Sequence, residues 1–372
     1  MSAPGLPIQL TAVVAGAIAL VTLSACGEKS EPGPVPTLKI GVAFSLTGSG
    51  AAYGKPALAG AQVAAQNETS AKVELVVRDD HSDPAAARKA VNQLVAADVD
   101  AILAPTLSPN AQAAGSIAKK AGIPYLGVTT TTADFTPLDP VAYRVALTEE
   151  ALAPTALEAA KKIDMNSAVL VSEPGDGYSR SAEPVYTAAA EKLGIKLQAK
   201  LEVTDDNVLR EVGDAARGNT DGLILVLRSD TAAKALDAAR STNADVVLVG
   251  SNGFNSADVV EAAGDAASGL ITASPWNPLL GDRTSRDFVH QYEREQEGTT
   301  PDAQSALGSG SVEVVATAAD ESGPSPRQIL QWLGSSKTSD SVLGDIKFNE
   351  SHDAVYKAVP QHVDNGKFVP VT

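Results

Sequence analysis

From Leu38 onward, short apolar runs alternate with alanine-rich stretches long enough for helices, and this rhythm limits the possible folds more than any other feature. Most runs are apolar at nearly every position, as expected of strands buried on both faces of a parallel sheet. Strands that alternate with helices predict βαβ units, in which a right-handed crossover packs a helix against the sheet. The runs are Ile40–Phe44, Val73–Val77, Ala101–Ala104, Ala168–Val171, Gly222–Leu227, Val246–Val249 and Leu270–Ala273.

These runs fall into two sets, which predicts an α/β fold with two lobes, each a doubly wound parallel sheet. The first set has strands near residues 40, 73, 101 and 125, and the second has strands near 168, 196, 223, 247 and 270. Tyr143–Ala146 lies between the sets and is a candidate crossing between the lobes. Beyond Pro278 we expect helices near 282–297, 302–320 and 325–333, and then a β-like tail from Val342.

The N-terminal segment predicts the cellular location of the protein. Leu10–Ala25 carries no charged residue, and Leu23–Cys26 resembles the lipobox of bacterial lipoproteins. That resemblance implies a signal peptide over residues 1–25, an acylated Cys26, and a flexible Pro- and Gly-rich spacer over 26–36. We expect a lipid-anchored protein at the extracytoplasmic face of the bacterial cell membrane. A transmembrane anchor, a plain secretory signal and a buried structural cysteine remain alternatives, since no Lys or Arg precedes the apolar run.

Composition argues against several classes of function. The formal net charge is −16 at pH 7 and no cluster of Lys or Arg offsets it, so nucleic acid is not an expected partner. The single cysteine has no partner for a disulfide. The sequence contains no Gly-x-Ser-x-Gly elbow, and its histidines lie far apart, at His81, His290, His352 and His362. We therefore expect no metal site and no cofactor, and a protein that is not an enzyme.

Two acidic clusters have structural interpretations. Asp79–His81 has the residue types of a metal or acid–base site, but Asp83 follows as a helix cap, which favours a solvated loop. The pair Glu149 and Glu150 stands at a predicted helix start, where negative charge interacts favourably with the helix dipole.

In open parallel sheets, ligands bind beyond the carboxyl ends of the strands. The glycine-rich loop Ser45–Pro56 follows the first strand, but it departs from a nucleotide-binding Walker sequence at Ser49 and Pro56. Ser108 follows the third strand, either as a helix cap or as a ligand contact. Thr129–Thr132 follows the fourth, either as a solvated loop or as part of a hydroxyl and N–H cradle, shared with Ser108, that suits a carboxylate.

Three residues after strands of the second set also have two interpretations each. Tyr178 either covers the apolar part of a ligand or caps a strand end. Arg228 is either a ligand contact or a surface salt-bridge former. Asn252 is either a ligand contact or a turn residue in the left-handed conformation.

In this order and spacing, after a lipobox, the motifs resemble the periplasmic leucine/isoleucine/valine-type binding proteins of ABC transporters, the type I solute-binding fold. The resemblance covers residues 38 to 370. It implies two α/β lobes joined by a three-strand hinge, with a ligand trapped as the lobes close. Its boundaries here would be 37–149 plus 276–355 for the N-terminal lobe and 150–275 plus 356–372 for the C-terminal lobe. The motifs that carry it are Ile40–Gly48, Ala52–Gly54, Asp79–Pro84, Gly264–Gly269 and Val342–Glu350.

The resemblance also implies roles for individual residues. Ser108, Thr129 and Thr131 would hold the ligand's α-carboxylate, and Tyr53 and Tyr178 would flank its side chain. Two positions depart from the family pattern. Asn252 stands where the family has an acid for the ligand's ammonium, so either the ligand lacks an ammonium or another acid substitutes, namely Glu173, Asp176 or Asp230. Arg228 is the second departure and would offer a charge-assisted bond to an anionic group.

The expected function is that of a solute-binding lipoprotein, a monomer tethered to the membrane by its lipid. It would capture a small polar ligand, such as an amino acid or a related carboxylate or amide, and deliver it to an ABC permease. The alternative is a ligand-sensing lipoprotein that signals to a membrane partner without transport.

Overall fold

The computed structural model describes residues 37–67, 72–132, 135, 140–335 and 337–371. The predicted signal peptide, Cys26 and the spacer lie outside the described residues. Within these ranges, no helix has the length and apolarity needed to cross a membrane.

The first lobe is built on a five-stranded parallel sheet with strand order β2-β1-β3-β4-β5. This arrangement confirms the four strands predicted for the first set and adds β5, which occupies part of the predicted crossing. The elements are β1 (Thr37–Val42), α1 (Ala51–Asn67), β2 (Lys72–Val77), α2 (Pro84–Ala96), β3 (Ala101–Leu103), α3 (Ser108–Ala121), β4 (Tyr125–Gly127) and β5 (Ala142–Arg144).

The second lobe is built on a seven-stranded sheet with strand order β14-β13-β10-β9-β8-β6-β7. Its five predicted strands are parallel, but β13 and β14 join antiparallel as an edge hairpin, so this sheet is mixed. The elements up to the last parallel strand are α4 (Glu149–Lys162), β6 (Ser167–Ser172), α5 (Gly177–Lys192), β7 (Lys196–Glu202), α6 (Val208–Arg217), β8 (Gly222–Val226), α7 (Ser229–Thr242), β9 (Val247–Gly250), α8 (Ala257–Ala263) and β10 (Ile271–Ser274).

The C-terminal part of the chain returns to the first lobe and then crosses back. Its three predicted helices are confirmed, and buried residues from each, such as Phe288, Leu307 and Trp332, share one core with Ile40 and Val42 of β1. The remaining elements are α9 (Arg283–Glu295), α10 (Ala303–Ser322), α11 (Pro326–Leu333), β11 (Lys347–Phe348), β12 (Ala354–Val355), β13 (Val359–Asp364) and β14 (Lys367–Pro370).

The chain therefore passes between the lobes three times, after β5, β10 and β12, as a type I hinge requires. Arg144 ties the first and third crossings together. Its buried guanidinium donates from Nε to Asp353 Oδ1 (2.7 Å) and from Nη1 to the Thr132 carbonyl (2.6 Å). Tyr356 adds a hydrogen bond from its hydroxyl to the Val145 carbonyl (2.9 Å).

Helices α1 and α10 cross at two glycines whose missing side chains let the backbones touch. A Cβ atom at Gly308 would lie 1.9 Å from the Ala57 carbonyl oxygen, and one at Gly60 would lie 1.8 Å from the Ser305 carbonyl oxygen. Because backbone atoms block both positions, the two helices would have to separate to accept any side chain.

We expect Gly308→Ala to lower the free energy of unfolding by about 3 kcal/mol, since overpacking against backbone costs this much. Urea unfolding followed by circular dichroism measures the loss. Gly175→Ala is the matched control, because a Cβ there meets nothing within 4 Å. Equal stability of the two variants would contradict the tight crossing.

Candidate functional site

A cavity lies between the two lobes, beyond the carboxyl ends of the parallel strands, with an empty volume of about 490 Å³ that includes space open to solvent. All seven residues expected to contact a ligand line it. Its lining is Tyr53, Thr106, Leu107, Ser108, Pro109, Thr129, Thr131, Asp176, Tyr178, Arg228, Asn252, Gly253 and Gln304. That these residues bind a ligand stays a prediction; that they share one cavity is observed.

The N-terminus of α3 forms part of the first-lobe wall. The helix begins at Ser108, with Leu107 at the cap position, so Ser108 is not the helix cap that one interpretation expected. The Ser108 side chain is buried and donates its hydroxyl proton to no described residue. Ser108 therefore offers its hydroxyl at a helix N-terminus, where the dipole favours an anion.

The threonine loop after β4 is buried rather than solvated, which corrects the alternative interpretation of Thr129–Thr132. The side chains of Thr130, Thr131 and Thr132 are at most 3% exposed. Thr129 Oγ1 donates to the Thr106 carbonyl (2.7 Å), and Thr131 Oγ1 donates to Glu149 Oε1 (3.0 Å). Both lining threonines thus have their hydroxyl protons engaged by the protein.

Gly253 joins two tyrosines from opposite lobes across the cavity. Its carbonyl accepts from the Tyr53 hydroxyl (2.8 Å), and its N–H donates to the Tyr178 hydroxyl (3.3 Å). Tyr53 also accepts from the Ser229 N–H (3.1 Å), and burial raises its pKa to about 12. A Cβ at Gly253 would lie 2.0 Å from the Leu227 carbonyl oxygen, so only glycine fits there.

Arg228 and Asp176 form an ion pair in the second-lobe wall, with 3.3 Å between Arg228 Nε and Asp176 Oδ2. Arg228 also pairs with Asp230 at 3.0 Å, so both interpretations of Arg228 hold: it forms salt bridges and it lines the cavity. Among the three acids considered as substitutes at the Asn252 position, Asp176 alone is in the lining. Its carboxylate also accepts from the Ser179 N–H (2.8 Å), as the cap of α5.

Asn252 opens a short 3-10 helix, Asn252–Phe254, and it is not in the left-handed conformation that one interpretation expected. Its side-chain oxygen accepts from Asn255 Nδ2 (3.1 Å). The position therefore presents a neutral amide to the cavity where a charged acid would pair with an ammonium group.

Sequence reasoning missed Glu149, which sits behind the cavity wall at the start of α4. Its side chain is buried, and Oε1 accepts from both Thr131 (3.0 Å) and Tyr178 (2.9 Å). Oε2 is buried without a hydrogen-bond partner among the described residues. Burial therefore raises the pKa of Glu149 to about 7. The signal was present in the sequence, because Glu149 shares the i, i+3, i+4 face of α4 with the buried Leu152 and Ala153.

In the Asp79–His81 cluster, which we expected to be a solvated loop, His81 is exposed but Asp80 is a buried structural brace. Asp80 is fully buried and accepts from Ser45 Oγ (2.6 Å) and Asn110 Nδ2 (3.1 Å). Ser45 in turn donates its N–H to Thr106 Oγ1 (2.9 Å) at the cavity. No group of metal-ligating side chains occurs among the residues that the structure describes. Asp80 thus positions the loops of the first-lobe wall.

Comparison with known proteins gives a family and several similar folds. Residues 37–367 match the sequence model of a family described as periplasmic binding protein. The substrate-binding protein LivJ of a branched-chain amino acid transporter from Streptococcus pneumoniae, solved with isoleucine, has 23% identity and a TM-score of 0.81 over 90% of this chain and 100% of that one. The leucine-binding protein LivK from Thermotoga maritima has 22% identity and a TM-score of 0.81 over 90% and 98%.

A third solved structure has a different ligand. The solute-binding protein of an ABC transporter from R. palustris, in complex with benzoate, has 19% identity and a TM-score of 0.80 over 90% of this chain and 95% of that one. Comparison with curated protein sequences gives no significant match. At these identities the solved structures share the fold with this chain, and all three are binding proteins rather than enzymes.

The raised pKa of Glu149 predicts that the free energy of unfolding depends on pH. An unfolded glutamate loses its proton near its ordinary pKa of 4.5, whereas folded Glu149 holds it up to a pKa of about 7. Stability therefore falls as pH rises from about 4.5 to about 7, and then levels off. We expect Glu149→Gln to remove about 2 to 3 kcal/mol of this fall between pH 5 and pH 8, measured by urea unfolding. Glu158→Gln, at an exposed position of the same helix, should keep the wild-type profile; the same fall in Glu149→Gln would contradict the assignment.

Proposed function

Because the chain belongs to the periplasmic binding protein family, we propose that it is a membrane-tethered solute receptor that closes on a small carboxylate and delivers it to an ABC permease. The observation that carries this proposal is the cavity between the lobes, which brings the seven expected residues together. Family membership also agrees with the expectation that the protein is not an enzyme.

The contacts around the cavity suit capture by closure. Hydrogen bonds join residues of the two lobes on several sides: Tyr53 to Gly253, the Ser229 N–H to Tyr53, and Gln304 Nε2 to the Asn255 carbonyl (3.1 Å). A solute seated among these groups would contact both lobes and add to the stability of the closed form, since binding to one state shifts the population toward it.

The lining favours a ligand with a carboxylate. Ser108 and the N-terminus of α3 offer donors and a favourable dipole to an anion. The carboxylate is also the feature shared by isoleucine and benzoate, the ligands of two similar structures. An ammonium group is less well served, because Asn252 is neutral and Asp176 is already paired with Arg228. We propose small carboxylates as the ligand class, with those that lack an ammonium preferred.

The membrane location of the protein and its interaction with an ABC permease are part of the same proposal. Lipidation at Cys26 would hold the receptor at the extracytoplasmic face of the membrane, with the spacer to residue 36 keeping the lobes free to meet the permease as a monomer. A tether of this kind raises the effective concentration of receptor at its partner. The lobe boundaries, 37–149 plus 276–355 and 150–275 plus 356–372, belong to this proposal as well.

A thermal-shift screen over carboxylates, amides and amino acids tests the receptor function. We expect at least one carboxylate to raise the transition temperature, because a ligand at a thousandfold excess over Kd adds about 4 kcal/mol to the folded state. In the same screen, Asn252→Glu should shift preference toward amino acids, and Asn252→Gln is its neutral control. A panel in which no compound moves the transition would contradict the proposal.

Membrane attachment has its own test. We expect Cys26→Ser to move the protein from the membrane fraction to the soluble extracytoplasmic fraction, because the thiol is the site of acylation. Ser24→Thr, which keeps Cys26, should remain membrane-bound. Metabolic labelling with a fatty acid should mark the wild type and not Cys26→Ser; label in that variant would contradict the assignment.

A further inference from the structure

Glu149 links the two walls of the cavity through one oxygen atom. Its Oε1 accepts from Thr131 on the first lobe and from Tyr178 on the second. Tyr178 in turn accepts from the N–H of Gly253, next to Asn252. A change at this buried carboxyl therefore reaches lining residues of both lobes.

Apart from Ser108, which offers its hydroxyl group to an anion, four lining residues have hydroxyl protons that the protein itself engages. Each hydroxyl has one proton, and four are donated to the protein: Thr129 to the Thr106 carbonyl, Thr131 and Tyr178 to Glu149, and Tyr53 to the Gly253 carbonyl. These four oxygens present lone pairs to the cavity, whereas a carboxylate accepts hydrogen bonds and needs donors.

We propose that Glu149 takes up a proton when the cavity binds a carboxylate, and that this proton turns Thr131 from an acceptor into a donor toward the ligand. The inference rests on the proposed function. One proton from solvent forms an O–H bond at Glu149 Oε1, which then donates to Thr131 Oγ1. The hydroxyl proton of Thr131 rotates to the ligand, no other bond changes, and the site with its bound anion carries one negative charge instead of two.

The surroundings of Glu149 favour this uptake. None of the ion pairs among the described residues includes it, and its second oxygen is buried without a partner. The titratable and charged groups around it offer no free cation. They are the exposed Glu150 on α4 and the neutral phenols of Tyr178 and Tyr186 on α5, both of which face the carboxyl of Glu149. Arg144 binds the carbonyl of Thr132, next to Thr131, and is engaged by Asp353.

A nearby ligand anion adds repulsion against an ionised Glu149, which favours its neutral form further. Because burial already brings the pKa of Glu149 to about 7, the uptake occurs in an accessible pH range. If only the protonated form binds the anion well, the apparent affinity follows the protonated fraction. That fraction falls about tenfold between pH 6 and pH 8 for a pKa of about 7.

Isothermal titration calorimetry with benzoate, 3,4-dihydroxybenzoate and L-isoleucine tests the inference. Titrations at pH 6, 7 and 8, in buffers with different ionisation enthalpies, count the protons taken up. For wild type we expect about tenfold tighter binding of the carboxylate at pH 6 than at pH 8, and uptake of about half a proton at pH 7. This proton count needs no variant, so it stands even if a substitution at position 149 fails to fold.

Two variants test whether Glu149 is the group that takes up the proton. In Glu149→Gln, whose amide N–H₂ already donates to Thr131, affinity should differ less than about twofold between pH 6 and pH 8, with no proton uptake. Glu158→Gln removes the same charge from an exposed position on the same helix, whose charge does not contribute to the pKa of Glu149, and should behave as wild type. Uptake that persists in Glu149→Gln, or binding by wild type without uptake, overturns the inference and leaves the receptor function supported. If none of the three ligands binds at any pH, the inference is also overturned. The receptor function is contradicted only if no compound in the thermal-shift screen raises the transition temperature.

Discussion

The cavity depends on the backbone of one residue, Gly253. Its carbonyl holds Tyr53 from the first lobe, its N–H holds Tyr178 from the second, and the absence of a side chain lets it pack against Leu227. Backbone groups have fixed directions, so the two tyrosines are positioned without mobile side chains between them. The other lining groups take their places around this point, since Asn252 is its neighbour and Ser229 completes the hydrogen bonds of Tyr53.

Charge in the wall is arranged so that little of it is free. Arg228 and Asp176 neutralise one another, and Asn252 adds an amide where an acid would suit an amino acid. Glu149, behind Thr131 and Tyr178, is a buried carboxyl that forms no ion pair among the described residues. In a low-dielectric region such a group is neutral more easily than it is charged. The group that responds to a bound ligand is therefore Glu149, which changes its protonation state, and not a residue of fixed charge.

Sequence reasoning found the strands and helices because apolar periodicity reports burial directly. Six of the seven candidate residues that line the cavity were chosen because loops at the carboxyl ends of parallel strands converge, and Tyr53 was chosen from the family resemblance. It misjudged details that depend on neighbours far away in the chain. Ser108 was a possible cap, but Leu107 holds that position. Solvent exposure was one of two interpretations of the threonine loop and the favoured one for Asp80, yet contacts with Glu149 and Ser45 bury them. Gln304 entered the lining from α10, which no local pattern indicates.

By itself, the sequence determined the α/β architecture with two lobes and the loops that meet between them, because these follow from local periodicity and residue identity. The departure at Asn252 came from comparing the sequence with the pattern of the family that it resembles. Only the tertiary structure decided to which acceptor each hydroxyl group in the cavity donates its proton. Whether Thr131 donates to a ligand or to Glu149 depends on a carboxyl oxygen 3.0 Å away at the start of α4. Hydrogen-bond direction is a property of the assembled environment, and burial of Glu149 exists only once the lobes have packed.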